Sequence, residues 1–418
     1  MSSKLILKNR RRSWLYAWAG IDWWLLGAYI TMTLFGGLMI QSVERNQGLT
    51  DWWQHWLTGG VGLVLAMIIA RCRYESLLQW RWIIYGLTII SLIFVQIVGT
   101  TALGAQRWIN IAGFHVQPSE FAKVGLIITL AACLHSLYKI RLRDFFKILA
   151  IASVPWGLVF IEPNLGTSLI LGSITMGMLY WANVNPGWLV LLIAPIISAI
   201  LFNVYLPIWV IWGTFVGWIA WRSLPLNFLT TPLMVGANIG SSMLGKVLWN
   251  VLQDYQKDRL TGFLNPESDP LGTGYHLIQS RIAIGSGQLF GRGLYQGTQT
   301  QLNFIPEQHT DFIFSAIGEE LGFIGCIATL AMFWFICLRL VMIAQTAKDN
   351  FGSLIVIGVL SMLVFQVFVN IGMNIGLAPV TGIPLPLLSY GRSALLSNFI
   401  ALGLVESVAK YRPRRNPF

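Results

Sequence analysis

The sequence predicts an all-α, polytopic integral membrane protein: a single domain over 1–418 with about ten transmembrane helices and one large extracytoplasmic loop. Three observations carry that expectation. Of 418 residues, 55% are hydrophobic and only 11% charged, whereas soluble chains carry roughly 25% charge. So few charges cannot cover a water-facing surface of this size, and most of the exterior must meet lipid. Apolar runs long enough for a bilayer core, roughly 20 residues each, recur along the chain. The basic residues stand between those runs rather than on one face, which explains the net charge of +11 without nucleic acid.

The runs fall at about 23–42, 53–70, 82–99, 119–137, 148–162, 165–183, 188–205, 321–343, 352–371 and 393–409. Two further stretches, about 206–222 and 228–249, leave ten against twelve spans open, and because a hairpin adds two crossings they do not change the side of later loops. Trp23, Trp24, Trp52, Trp53, Trp80, Trp82, Trp181 and Trp188 stand at run ends, as an interfacial belt requires. Sixteen of the 28 basic residues form four clusters: Lys4 to Arg12, Arg71 to Arg81, Lys139 to Lys147 and Lys410 to Arg415. The positive-inside rule makes these cytoplasmic, so a basic N-terminus (1–20) and tail (410–418) both lie inside. Residues 100–118, 250–320 and 372–392 then lie outside. The full-length first run followed by no small-residue cleavage site argues against a removable signal. The four cysteines form no CxxC pair, and no disulfide or metal site is indicated.

Gly240 to Lys246 nearly spells a phosphate loop, but Val247 stands where Ser or Thr should hold magnesium and no strand precedes it. Three other segments hold the polar residues that could carry chemistry. In the first, Arg107 and Trp108 precede Pro118-Ser119-Glu120, a helix start that places Glu120 and Lys123 on one face. Ionised groups inside a bilayer cost about 2.5–3.5 kcal/mol on insertion scales. Glu120 and Lys123 are therefore either a structural ion pair or the wall of a wet, substrate-positioning cavity. Arg107 offers a bidentate anion donor and Trp108 a flat apolar face, although interfacial anchoring accounts for both.

The second segment is the loop 250–320, which holds Asp254, Asp258, Glu267, Asp269, Glu307 and Asp311 with Lys257, Arg259, Arg281 and Arg292. Asp311 closes the run Glu307-Gln-His309-Thr-Asp311 where the chain re-enters the membrane. It reads either as a helix N-cap or as a general base at the membrane edge. Glu319 and Glu320 follow in the next span. The third runs from Asn370 to Ser393, with Ser389 and Arg392. Its prolines and glycines predict a broken, re-entrant segment, tolerated only where it is buried in protein or lines a cavity.

These three segments, with Gly104-Ala-Gln-Arg107-Trp108, Pro118-Ser-Glu120-Phe-Ala-Lys123, His309-Thr-Asp311-Phe and Asn370 to Ser393, resemble the SEDS family (shape, elongation, division and sporulation), closest to its rod-shape branch. The resemblance spans nearly the whole membrane region. It implies a GT-C-like fold and a peptidoglycan glycosyltransferase that polymerises lipid II into nascent glycan at the outer face of the bacterial cytoplasmic membrane, partnered by a class B penicillin-binding protein as transpeptidase. It makes Asp311 the catalytic residue and maps further functional positions onto Trp108, Glu120 and Lys123. Arg107, Arg281, Arg292, His309, Ser389 and Arg392 complete the expected substrate-binding set. No cofactor is evident, although an added Mg²⁺ or Mn²⁺ would help neutralise a diphosphate. Two departures stand out: Arg392 replaces a usual glycine, and Pro163-Asn164 replaces a common Pro-Asp. A lipid II flippase, a scaffold for the transpeptidase and a division-specific polymerase are the alternatives.

Overall fold

The computed structural model describes residues 20–45, 51–102, 105–111, 114–137, 139–162, 164–225, 227–251, 263, 274–302, 304–305 and 307–412. Each of the ten expected spans is a helix. In chain order these are α1 (Trp23–Glu44), α2 (Asp51–Arg71), α3 (Leu77–Val98), α4 (Pro118–Leu134), α5 (Leu142–Ile161), α6 (Leu165–Trp181) and α7 (Pro186–Val204). After α8 (Leu206–Ser223) and α9 (Asn227–Val251) come α10 (Tyr275–Ser286), the single turn α11 (Thr298–Gln301), α12 (Ile313–Gln345), α13 (Asn350–Ile375) and α14 (Arg392–Lys410). Among the described residues, seven helices are long and apolar enough to cross a membrane on length and composition. Helices α4 and α6 are 17 residues long, at the lower limit for a bilayer core.

The stretch 206–249 forms two helices that pack on α7 around their own small core of Leu191, Ala194, Val216, Ile219, Ala220 and Leu224. At about 1.5 Å per residue they measure roughly 27 and 37 Å. The near phosphate loop at Gly240 to Lys246 lies inside α9, with no strand before it. The basic cluster before Trp23 and the residues from 413 onward lie outside the described residues, as do Asp254, Lys257, Asp258, Arg259, Glu267 and Asp269.

One departure from an all-helical reading is the segment 100–118. It contains a three-stranded antiparallel sheet, β1 (Thr100–Ala102), β2 (Ala105–Ile111) and β3 (Phe114–Val116). Short β-hairpins in a polar loop satisfy backbone groups without needing a long apolar run. Thr101 pairs with Gln106 and Thr100 with Trp108, so Arg107 is the extra residue of a β-bulge, a device that re-aims a side chain.

Helices α4, α13 and α14 make the centre of the bundle. The face of α4 is buried along nearly its whole length, and about three-quarters of each of the other two spans is buried. Large apolar side chains on α3 and α12, such as Ile83, Leu87, Ile90, Phe323, Ile327 and Trp334, stay exposed, as a lipid-facing surface requires. The two ends of the bundle differ. At one, Asp22 pairs with Arg339 and its N–H donates to Glu406 at 2.8 Å, with Arg73, Lys348, Lys410 and Tyr411 nearby in the same cluster of contacts. At the other lie the sheet, α10, α11 and the irregular segment 376–391.

That irregular segment is buried in protein, with Ile383, Leu385, Leu387 and Leu388 in the core. This meets the condition under which non-helical backbone survives between membrane helices. Leu387 is held at φ +67, a sparsely allowed region for a side chain, with its carbonyl hydrogen-bonded to His55 Nε2 at 3.2 Å. Gly322 (φ +67, ψ −162) kinks α12, and a side chain there would collide with the backbone of Leu289 and Gly291.

Candidate active site

The site is built around a turn, residues 307–312, that delivers the chain into α12. Backbone N–H groups of Thr310 and Asp311 donate to the Glu307 carbonyl, Asp311 at 3.0 Å. Two long-range clamps fix this turn. Tyr390 N–H donates to the His309 carbonyl at 2.9 Å. Asn370 Nδ2 and Asn374 Nδ2 donate to the Asp311 carbonyl at 2.9 and 3.1 Å. Both asparagines are fully buried, and at positions i and i+4 of α13 they share one helix face.

The alternative of Asp311 as an N-cap is not what the structure displays. The N-cap of α12 is Phe312, with no side-chain cap bond. The N–H of Ser315 is shared between the Phe312 carbonyl at 3.0 Å and Asn374 Oδ1 at 3.2 Å, and Ser280 Oγ ties Ser315 Oγ and the Asn374 carbonyl together at 2.7 Å each. Asn374 thus caps the helix from outside, and the half-buried Asp311 side chain is not the cap residue.

Arg281, on α10 one residue after Ser280, comes to the same place. Its guanidinium lies so close to Gly376, the left-handed C-cap of α13, that a side chain at Gly376 would strike it. Arg392 opens α14, directly after the Tyr390 clamp. Ser389 is buried, and its hydroxyl accepts from Leu385 N–H at 2.8 Å, closing its own turn. Arg292 is brought elsewhere: it donates to Thr298 Oγ1 at 2.9 Å and its N–H to the Glu319 carbonyl at 3.0 Å, eight residues and roughly 12 Å along α12 from Asp311. Glu319 there accepts four bonds from Thr298, Gln299 and Thr300, and Glu320 accepts from Ser42. Both are structural anchors of the 291–301 segment.

Glu120 and Lys123 form a buried ion pair of 2.6 Å, with side chains 5% and 0% exposed. Ser397 of α14 donates to the same Glu120 oxygen at 3.3 Å. Nearby, Ser393 Oγ accepts from Gln117 N–H at 3.0 Å and donates to the His115 carbonyl at 3.2 Å. The first and third segments therefore meet along α4 and α14. A Lys Nζ with no exposed surface holds helices together, and access for a substrate requires the pair to open.

Arg107 Nε donates to the Glu162 carbonyl at 3.2 Å, while Trp108 is half-buried in β2. Glu162 is a residue that sequence reasoning missed. It is 3% exposed, neither carboxylate oxygen has a hydrogen-bond partner, and burial pushes its pKa up to about 8 against the pull of Arg107. Burial holds the His309 imidazole below its usual range, with Glu307 and Asp51 opposing. Burial pushes the Tyr390 phenol up to about 12, and the Asp51 carboxylate adds to that. The phenol donates to Gln54 Oε1 at 3.0 Å, and its ring lies 5.9 Å from that of His309.

Residues 17–414 match the protein family described as Cell cycle protein, FtsW/RodA/SpoVE. The peptidoglycan glycosyltransferase MrdB of Escherichia coli K12 is 35% identical over 354 residues, 84% of each chain. The peptidoglycan glycosyltransferase RodA of Treponema pallidum is 33% identical over 425 residues, covering 93% of this chain and 97% of its own. Among solved structures, a chain from "Structural coordination of polymerization and crosslinking by a peptidoglycan synthase complex" superposes with a TM-score of 0.72 at 28% identity, over 95% of this chain and 100% of that one. The rod shape determining protein RodA of Thermus thermophilus, 23% identical, shares the fold with a TM-score of 0.63 over 95% of this chain and 99% of its own.

Proposed function

The chain belongs to the FtsW, RodA and SpoVE family of cell cycle proteins, and from that premise we propose that it is a peptidoglycan glycosyltransferase using Asp311 as its base. It is a multi-pass membrane enzyme that polymerises lipid II into glycan strands during elongation and maintenance of rod shape. The observation that carries the reading is the clamped turn. Asn370, Asn374 and Tyr390 fix the backbone on both sides of a carboxylate that is not consumed as a helix cap.

The chemistry needs one proton acceptor. Asp311 takes the proton of the acceptor sugar hydroxyl as its oxygen attacks the anomeric carbon of the donor. The carbon–oxygen bond to the polyprenyl diphosphate breaks, and the diphosphate departs as an anion already acidic enough to leave without a proton donor. A single displacement of this kind inverts the anomeric centre and needs no second nucleophilic carboxylate. General-base help of this kind is typically worth about 10²–10⁴ in rate. Arg281, beside Asn374 and Gly376, and Arg392, after the Tyr390 clamp, supply fixed positive charge for the diphosphate. Arg107, aimed by the bulge, adds a third cation from the sheet.

The basic residues gathered at the end opposite the sheet support a cytoplasmic side there and a site on the outer face of the cytoplasmic membrane. The complex to which the 28% identical solved chain belongs, described as one of polymerization and crosslinking, supports a class B penicillin-binding protein as the partner.

Reconstituting the full chain with such a partner in vesicles and supplying labelled lipid II separates polymerase from transporter. Labelled glycan strands are expected. Movement of lipid II across the bilayer with no strands formed would overturn the reading.

A further inference from the structure

At the sheet end, Glu44 closes α1, Asp51 opens α2 and His309 lies in the clamped turn, and one ligand atom from each comes within 4.8 Å of the other two. Nothing in the glycosyl-transfer chemistry uses the two carboxylates. Glu44 is 1% exposed. Its Oε2 accepts from the N–H groups of Asp51 and Trp52 at 3.1 and 3.2 Å, whereas Oε1 is buried with no hydrogen-bond partner. A buried carboxylate oxygen without a partner is costly, and a second carboxylate beside it raises the cost further. The ion pairs among the described residues, Glu120 with Lys123, Asp22 with Arg339, and Glu75 with Arg73 and Lys348, involve neither acid. Glu44 also lines an open cleft of about 430 Å³ with Gln41, Arg45, Trp52 and Tyr295. Arg45, the cation of that cleft, is placed over the Tyr295 ring at 5.0 Å.

We propose that Glu44, Asp51 and His309 form a divalent-cation site that receives the diphosphate of the lipid-linked substrate next to the Asp311 turn. The second half of this statement rests on the glycosyltransferase reading; the first does not. Two carboxylates and one neutral imidazole balance a 2+ charge, and this mixed oxygen and nitrogen set suits Mn²⁺ or Mg²⁺. Ligands on one such ion stand about 3 to 4.2 Å apart at bond lengths near 2.1 Å, so small side-chain rotations close the triangle. Three protein ligands leave positions open for diphosphate oxygens. The Tyr390 ring lies 5.9 Å from that of His309, and its phenol hydrogen-bonds both Gln54 and the Asp51 carboxylate, so it contacts two of the three ligands.

The test titrates Mn²⁺ alone into the purified full chain in nanodiscs, read by electron paramagnetic resonance. One bound Mn²⁺ per chain with nitrogen modulation from an imidazole is expected. The double variant Glu44→Gln with Asp51→Asn, close in shape to the native residues, should bind at least about tenfold more weakly. His309→Gln should retain an ion but lose the nitrogen modulation, which keeps the assignment falsifiable if the double variant fails to fold. Farnesyl diphosphate should add a phosphorus coupling to the bound Mn²⁺, equally in Asp311→Asn, which lacks the base. Unchanged binding in the double variant, or nitrogen modulation that survives His309→Gln, would overturn the site. Bound Mn²⁺ with no phosphorus coupling would overturn its role toward diphosphate. Loss of strand synthesis in Asp311→Asn with both signals intact leaves the two readings separately judged.

Discussion

Asn370 Nδ2 lies 2.9 Å from the carbonyl oxygen of Asp311, a bond between residues 59 positions apart that joins α13 to the turn entering α12. Together with Asn374 it fixes the backbone of the residue assigned as base, so the position of the carboxylate is set by α13 rather than by its own loop.

Replacing Asn374 by Asp tests that dependence. The change keeps the shape and the acceptor for Ser315, but removes the donor to Asp311 and to the Asn370 carbonyl. A buried polar group left without its partner costs about 1–3 kcal/mol, so the melting temperature should fall measurably. Strand synthesis should fall further than stability explains, with kcat reduced more than KM is raised. Equal activity per folded molecule would separate the asparagine from the site.

Lys123→Met leaves Glu120 buried and unpaired. Losing one partner of a buried ion pair typically costs about 3–5 kcal/mol, and chemical denaturation should report a loss of that size. Replacing both residues, Glu120→Leu with Lys123→Met, should recover much of it, because the unpaired charge is gone. If the double variant folds stably yet makes no glycan, the pair also serves the substrate; full activity would make it a helix fastener alone.

Glu162 predicts a pH dependence. Its folded-state pKa of about 8 lies above the ordinary carboxyl value of 4.5, so between those values the folded chain holds a proton that the unfolded chain has lost. The stabilisation is complete below pH 4.5 and is lost as pH rises through about 8. Relative to Glu162→Gln, the native chain should become progressively less stable from pH 5 to pH 8.5 in thermal melts. Parallel curves for the two proteins across that range would contradict the assignment.

Much of this was legible before the structure. Each apolar run became a helix because membrane spans must satisfy their own backbone, and Pro118 began α4 as its sequence indicates. The broken segment at 376–391 was legible from its prolines and glycines. The sheet at 100–116 was not, since two of its three strands have only three residues and leave no periodic signal. Glu44, Asp51 and Glu162 were invisible for a related reason: one acid at the end of an apolar run looks like a solvated cap, and only tertiary packing buries Glu44 and Glu162 and brings Asp51 beside Glu44. Asn370 and Asn374 were in view, four apart on one face, but an amide names no partner. Arg292 entered the expected site on its charge alone, and the contacts it makes, to Thr298 and the Glu319 carbonyl, depend on a fold that charge does not reveal.

The most direct test compares native protein and Asp311→Asn, each purified with the transpeptidase partner, by the rate at which labelled lipid II becomes glycan. The Asn side chain preserves shape and cannot accept the hydroxyl proton, so the rate should drop by about 10²–10⁴ with thermal stability unchanged. Glycan formed at the native rate by Asp311→Asn would contradict the account.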